Sequence, residues 1–257
     1  MPELPEVELM CRNLTRWTQG KTIVATEGIE NETLILHKNI RTCFRRGKYC
    51  ILPIGSFFVV IHFRMTGKVV LLKENRRFLR RKIRLHDGME IGILDQRKFS
   101  TFEILNEEEF SQRFTILGAE VWPIHRSGQW FQERMGKSRS TLKNLFLRQD
   151  IIAGLGNIMC SEVCFRMRCN PQTKAKQLTL HQWDTLGESI HDFVGQVLQE
   201  EGGDEIQYVS QGGELPKSFL VYGRTGDPCV ECKTPIIQWQ MGGRSTYACP
   251  SCQRLKE

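Results

Sequence analysis

Residues 229–252 read CVECKTPIIQWQMGGRSTYACPSC, two CxxC pairs, Cys229/Cys232 and Cys249/Cys252, with sixteen residues between the inner cysteines. That is the spacing of a tetrahedral four-thiolate zinc site, because each CxxC lets two sulfurs converge from one tight turn. The intervening segment reads as strand, Gly242-Gly243 turn, strand. The expectation is a zinc-ribbon β-hairpin closed at its open end by one structural zinc ion. A segment this short buries too little apolar surface to fold alone, so the metal supplies much of its stability. With protein sulfur at all four positions, such a zinc cannot activate a water. Arg244 stands beside the hairpin turn, either as an ordinary exposed arginine or as a cation reaching a phosphate.

Upstream of the ribbon, residues 130–202 carry helical runs near 130–135, 141–147, 158–166 and 178–201. Between the second and third lies Asp150-Ile-Ile-Ala-Gly-Leu-Gly-Asn157, a glycine-bearing turn ahead of a helix, which can offer backbone N–H groups to an anion. Helix connections use glycine for less. From Thr22 to about Leu105 the pattern is short apolar runs, YCILPI, FFVVIHF, KVVLLK and MEIGIL, broken by Gly, Asn and Asp, which predicts a β-sandwich or barrel of six to eight strands. Residues 106–129, with Glu107-Glu108-Glu109 and VWPIHRSGQ, interrupt the strands and read as a crossover between domains. At the start, Val7, Met10, Leu14 and Trp17 recur at helical spacing and Gly20 ends the run, predicting an amphipathic helix from near Pro5.

The 257 residues suffice for two modest cores, and Lys plus Arg exceed Asp plus Glu by 36 to 29, a formal charge of +7. Basic residues concentrate in HKNIRTCFRRGK (37–48) and RRFLRRKIRLH (76–86), blocks that repel themselves unless an anion or solvent screens them. No signal-peptide order and no membrane-length apolar window is present, so an intracellular, cytoplasmic protein is expected. In that compartment ten cysteines do not make a disulfide framework. The six outside the ribbon, Cys11, Cys43, Cys50, Cys160, Cys164 and Cys169, show no second ligand pattern and read as small buried apolar groups.

The opening Met-Pro-Glu-Leu-Pro-Glu-Val-Glu, the Ala-Gly-Leu-Gly-Asn157 turn and the terminal four-cysteine ribbon, in that order, resemble the formamidopyrimidine-DNA glycosylase and endonuclease VIII family. MPELPE, Leu117-Gly118-Ala119-Glu120 and Tyr222-Gly223-Arg224 are similar to its formamidopyrimidine branch. The resemblance implies an α+β multidomain protein. Residues 1–118 would form an N-terminal helix plus β-sandwich, residues 119–215 a helix–two-turn–helix DNA-binding domain, and residues 216–257 the zinc ribbon. It implies a monomeric base-excision enzyme that flips oxidised bases (oxidised purines, formamidopyrimidines) out of double-stranded DNA, cleaves them from the sugar and nicks the abasic site.

The same resemblance assigns roles. Removal of Met1 would expose the secondary amine of Pro2 as nucleophile; an α-amino group titrates near 8, well below a lysine, so a useful fraction is unprotonated near neutrality. Glu3, beside it, would be the general acid, although a helix N-terminus favours carboxylate anions and so works against an acid's need to hold a proton. Glu6 matches the same motif, with helix capping as its plain alternative. Lys48 matches a lysine that contacts phosphate near the lesion, Lys143 one that faces the DNA, and Asn157 and Arg244 grip phosphates. Met65, Arg97 and Phe99 match the trio that fills the gap left by the flipped base, since unstacking costs a few kcal/mol. Without the resemblance Met65 and Phe99 read as core residues. The chain departs from the family at Arg64, where glycine is expected, at Gln96, where proline is expected, and in a capping stretch (202–222) several residues shorter than usual, which leaves selectivity for oxidised guanine open. The rival readings are a non-catalytic protein of the same architecture that binds damaged DNA, a zinc-ribbon transcription factor, which leaves MPELPEVE unexplained, and a metal-dependent nuclease, for which no carboxylate cluster is evident.

Overall fold

The computed structural model describes residues 2–200, 203–206 and 214–255. The chain forms two compact units, one of Met1–Ile116 with Glu201–Glu214, the other of Leu117–Glu200 with Leu215–Glu257.

The first unit opens with helix α1 (Leu4–Thr18). Pro5 falls in its first turn, where a missing N–H costs nothing, and Val7, Met10, Leu14 and Trp17 are all buried at helical spacing. Burying each such side chain contributes roughly 1.5–3 kcal/mol. The chain then turns out through Gly20 at φ +78°. Eight strands follow: β1 (Ile23–Glu27), β2 (Phe44–Arg46), β3 (Tyr49–Ile54), β4 (Phe57–His62), β5 (Lys68–Leu72), β6 (Leu79–Leu85), β7 (Glu90–Leu94) and β8 (Thr101–Leu105). They form two four-stranded antiparallel sheets, β1-β6-β7-β5 and β2-β3-β4-β8. In β3 every residue from Cys50 to Ile54 is buried, the continuous pattern of a strand covered on both faces. Helix α1 packs against β2, β3 and β5, so its N-terminal turn is held by the sheets.

The stretch read as a plain crossover begins with a helix, α2 (Glu107–Arg113). Asn106 Oδ1 accepts from the Glu109 N–H at 2.9 Å and the Asn106 N–H donates to Glu109 Oε2 at 2.8 Å. The acidic triplet therefore marks a capped helix start, where carboxylates are favoured by the dipole.

In the second unit the two-residue strands β9 (Ala119–Glu120) and β10 (Ile152–Ala153) pair in parallel. Helices α3 (Gly128–Met135), α4 (Leu142–Phe146), α5 (Asn157–Arg166) and α6 (Leu180–Glu200) match the four expected runs to within a few residues, with α3 and α5 packed on α6. Strands β11 (Ile237–Met241) and β12 (Arg244–Ala248) form the expected hairpin, turned at Gly242 and Gly243, both with positive φ. Cys229, Ile236 and Cys249 share one buried cluster with Phe165 of α5 and Val221, which places ribbon and helices in the same unit.

Candidate active site

The N-terminal turn of α1 is buried as well as capped. Pro2 is buried, Glu3 is 2% exposed and Glu6 is 7% exposed. The Glu3 N–H donates to Glu6 Oε2 at 2.8 Å, one half of a reciprocal capping box. Burial first, and the nearby Glu3 carboxylate second, push the Glu6 carboxyl up to about 7 despite its hydrogen bonds. The capping reading of Glu6 thus holds, and the same carboxyl keeps a proton close to neutrality. Lys48 sits half-buried just after Gly47, whose φ of +58° makes the tight β2–β3 turn.

Met65 and Phe99 are 39% and 52% exposed, against the core packing that residue type alone predicts, and the Arg97 guanidinium lies 4.8 Å over the Phe99 ring. Two residues that sequence reasoning passed over hold these loops. Asp95, 1% exposed, accepts from Thr66 Oγ1 at 2.7 Å, the Ser100 N–H at 2.7 Å and the Arg97 N–H at 3.2 Å. Burial opposes its ionisation, and the hydrogen bonds outweigh burial, leaving its carboxyl below the usual range. His62 Nδ1 accepts from the Arg64 N–H at 3.0 Å, and burial together with the charges of Arg64, Lys48 and Arg113 pushes its imidazole down to about 4. Arg64, standing where the resemblance expects glycine, adopts φ +55°, a backbone region that glycine enters without strain. An aspartate just ahead of the Arg97 loop was the one visible signal.

The basic block 76–86 does not present a row of outward cations. Arg76 is paired bidentately with Glu205 at 2.9 and 3.1 Å, Arg84 with Glu90 at 2.8 Å, Lys82 with Glu27, and Arg80 Nε donates to the Asp95 carbonyl at 2.8 Å. Half of its Lys and Arg charges are thus paired within the unit, while Arg77 and Arg81 lie over the Phe78 and Phe102 rings. Gly202 and residues 207–213 of the capping stretch lie outside the described residues. The segment before them is tied down, because Asn13 Nδ2 donates to the Gly203 and Asp204 carbonyls and Lys68 Nζ to the Ile206 carbonyl.

In the second unit Asn157 opens α5, and its Nδ2 donates to the Ser245 carbonyl at 2.9 Å. Lys143 is fully buried and its ammonium donates to the same carbonyl at 2.9 Å and to Thr246 Oγ1 at 2.5 Å. Its ammonium is thus turned to β12, next to Arg244, which is exposed. Glu162, 0% exposed, accepts from the Leu220, Val221 and Tyr222 N–H groups at 2.8–2.9 Å and pairs with Arg166. An acidic residue inside the apolar run of α5 was the overlooked signal. The Sγ atoms of Cys229, Cys232, Cys249 and Cys252 lie within 4.8 Å of one another, with 3.4 Å between Cys232 and Cys249 and 3.9 Å between Cys229 and Cys252. Four sulfurs about 2.3 Å from one ion stand about 3.8 Å apart, so the cluster fits a tetrahedral structural zinc.

Two family models match, the formamidopyrimidine-DNA glycosylase N-terminal domain over residues 1–102 and the formamidopyrimidine-DNA glycosylase H2TH domain over residues 117–208. The formamidopyrimidine-DNA glycosylase of Streptococcus mutans is 34% identical, covering 99% of this chain and all of that protein. The chain belongs to the formamidopyrimidine-DNA glycosylase family. Among solved structures, the Lactococcus lactis glycosylase complexed with abasic-site DNA aligns with a TM-score of 0.87 at 29% identity, over 98% of this chain and 100% of that one. A MutM complex with DNA containing carbocyclic 8-oxo-G aligns at 0.86 and 30%, with the same coverage. No helix among the described residues is long and apolar enough to cross a membrane.

Proposed function

We propose that this chain is a bifunctional DNA glycosylase and abasic-site lyase of base-excision repair, acting on oxidised purines and formamidopyrimidines in duplex DNA. The observation that carries the reading is the buried turn of α1, where Pro2 and Glu3 adjoin a carboxyl, Glu6, that burial pushes up to about 7. After loss of Met1, the Pro2 nitrogen attacks the anomeric carbon of the flipped nucleotide and the bond to the base breaks, the base leaving with a proton. Glu3 protonates the sugar ring oxygen as the ring opens, and the Pro2 iminium acidifies the adjacent sugar C–H. Removal of that proton expels the 3′ phosphate.

Met65, Arg97 and Phe99 fill the gap left by the flipped base. Lys48, Asn157 and Arg244 contact phosphates, which fixes register without reading sequence. Lys143 acts through β12 as a positioning residue. One structural zinc ion is held by Cys229, Cys232, Cys249 and Cys252. The protein works as a monomer on chromosomal DNA in the cytoplasm, a reading supported by its bacterial relatives.

The test is borohydride trapping with untagged protein whose Met1 is shown by mass spectrometry to be absent. A covalent adduct with DNA containing an oxidised purine is expected. Binding without an adduct would make the chain a non-catalytic damage-binding protein, a reading that the presence of both Pro2 and Glu3 disfavours.

A further inference from the structure

Three of the six cysteines outside the ribbon, one from α1 and two from the β2–β3 hairpin region, meet at one point. Cys11 lies on α1, Cys43 immediately before β2 and Cys50 at the start of β3; they are 3%, 7% and 0% exposed, and their Sγ atoms all lie within 4.8 Å of one another. Cys43 Sγ and Cys50 Sγ are 3.2 Å apart, neighbours on the diagonal of the β2–β3 ladder. Thr15 Oγ1 donates to the Cys43 carbonyl at 3.2 Å and accepts from its N–H at 3.1 Å, which locks the Cys43 backbone to α1. Beside the sulfurs lies the Arg45 guanidinium, whose side chain is 2% exposed; its Nη1 donates to the Gly47 carbonyl at 2.9 Å and its Nε to Glu8 at 3.2 Å.

We propose that Cys11, Cys43 and Cys50 form a second metal site, separate from the ribbon, that takes a soft cation satisfied by three sulfur ligands, of the cuprous type. Three sulfurs about 2.3 Å from one ion in a plane stand about 4 Å apart, so the thiols need only small side-chain rotations to converge. Thiolate donors select soft ions. Zinc demands four ligands, and among the described residues no fourth Cys, His, Asp or Glu ligand atom joins this cluster. On loading, three thiols release three protons to solvent as three sulfur–copper bonds form. The bound ion would tie α1, which carries Glu6 and follows directly on Pro2 and Glu3, to the β2–β3 hairpin that carries Lys48. The effect on catalysis rests on the proposed function; the site itself does not.

The experiment uses the full-length zinc-loaded protein without oxygen and draws cuprous ion from a chromogenic copper chelator. One copper per chain is expected, with ribbon zinc retained by metal analysis, and copper X-ray absorption showing three sulfur neighbours. The uptake should disappear in Cys50→Ala and in the more exposed Cys43→Ser, each still holding its zinc. Should either variant misfold, the copper-to-zinc ratio and sulfur count of the wild-type protein decide the matter. Zinc lost in step with copper gained, a sulfur count other than three, uptake undiminished in the variants, or no uptake by the wild type would each overturn the proposal.

Discussion

The Glu3 N–H donates to Glu6 Oε2 at 2.8 Å, so the residue that follows the N-terminal proline and the buried carboxyl one helical turn on are held by the same cap. Its place in the cap keeps Glu6 beside Glu3, and burial of that cap raises its proton affinity.

Stability should record this. With its carboxyl moved from 4.5 to about 7, Glu6 keeps in the folded state a proton that the unfolded chain gives up, so stability falls as pH rises through that window. Above about pH 7 the full penalty, roughly 3 kcal/mol at 1.36 kcal/mol per tenfold, is in place. Glu6→Gln keeps an oxygen acceptor for the Glu3 N–H and removes the charge. Thermal unfolding from pH 5 to 8 is expected to show the variant gaining on the wild type as pH rises; parallel curves would place the titration elsewhere.

Asp95 ties Thr66 to the Arg97–Ser100 loop. Replacing it with alanine leaves the Thr66 hydroxyl and the Ser100 N–H without their acceptor, at about 1–3 kcal/mol for each that stays buried, while the Arg97 N–H keeps Thr66 Oγ1 at 3.3 Å. Discrimination between lesion and undamaged duplexes in a binding titration should shrink, because Met65 and Phe99 lose their fixed placement. Since the Asp95 carboxyl lies below its ordinary range, its contribution is present at neutral pH and fades only as pH falls into the acid range.

Lys143 of α4 bonds β12, the strand on which Arg244 is exposed, and salt separates the two. Arg244→Ala should weaken DNA binding and lower the slope of log affinity against log salt by about 1. Lys143→Met should leave the slope unchanged while loosening β12, because its ammonium already serves Ser245 and Thr246. Equal slope changes would mean that Lys143 reaches phosphate after all.

Chelation of the ribbon metal, or Cys249→Ala, should unfold residues 229–252 and lower DNA affinity while the sheets of the first unit persist. Hydrogen exchange resolves the two units; protection lost throughout would show that the first unit also depends on the ribbon.

Much of this protein is written in short-range pattern. The periodicity of Val7, Met10, Leu14 and Trp17, the CxxC spacings and the Gly242-Gly243 turn each follow from local backbone geometry, which neighbours in sequence dictate. The helix at Glu107–Arg113 was legible too, through Asn106 and Glu109, once the acidic triplet is taken as a first turn. Tertiary structure alone decided the rest. It paired Arg76, Arg84 and Lys82 of the basic block with Glu205, Glu90 and Glu27, turned Lys143 inward, gathered Cys11, Cys43 and Cys50, and raised the proton affinity of Glu6. The reason is physical: desolvation and charge pairing depend on what lies opposite a residue in space, and linear spacing carries no record of that.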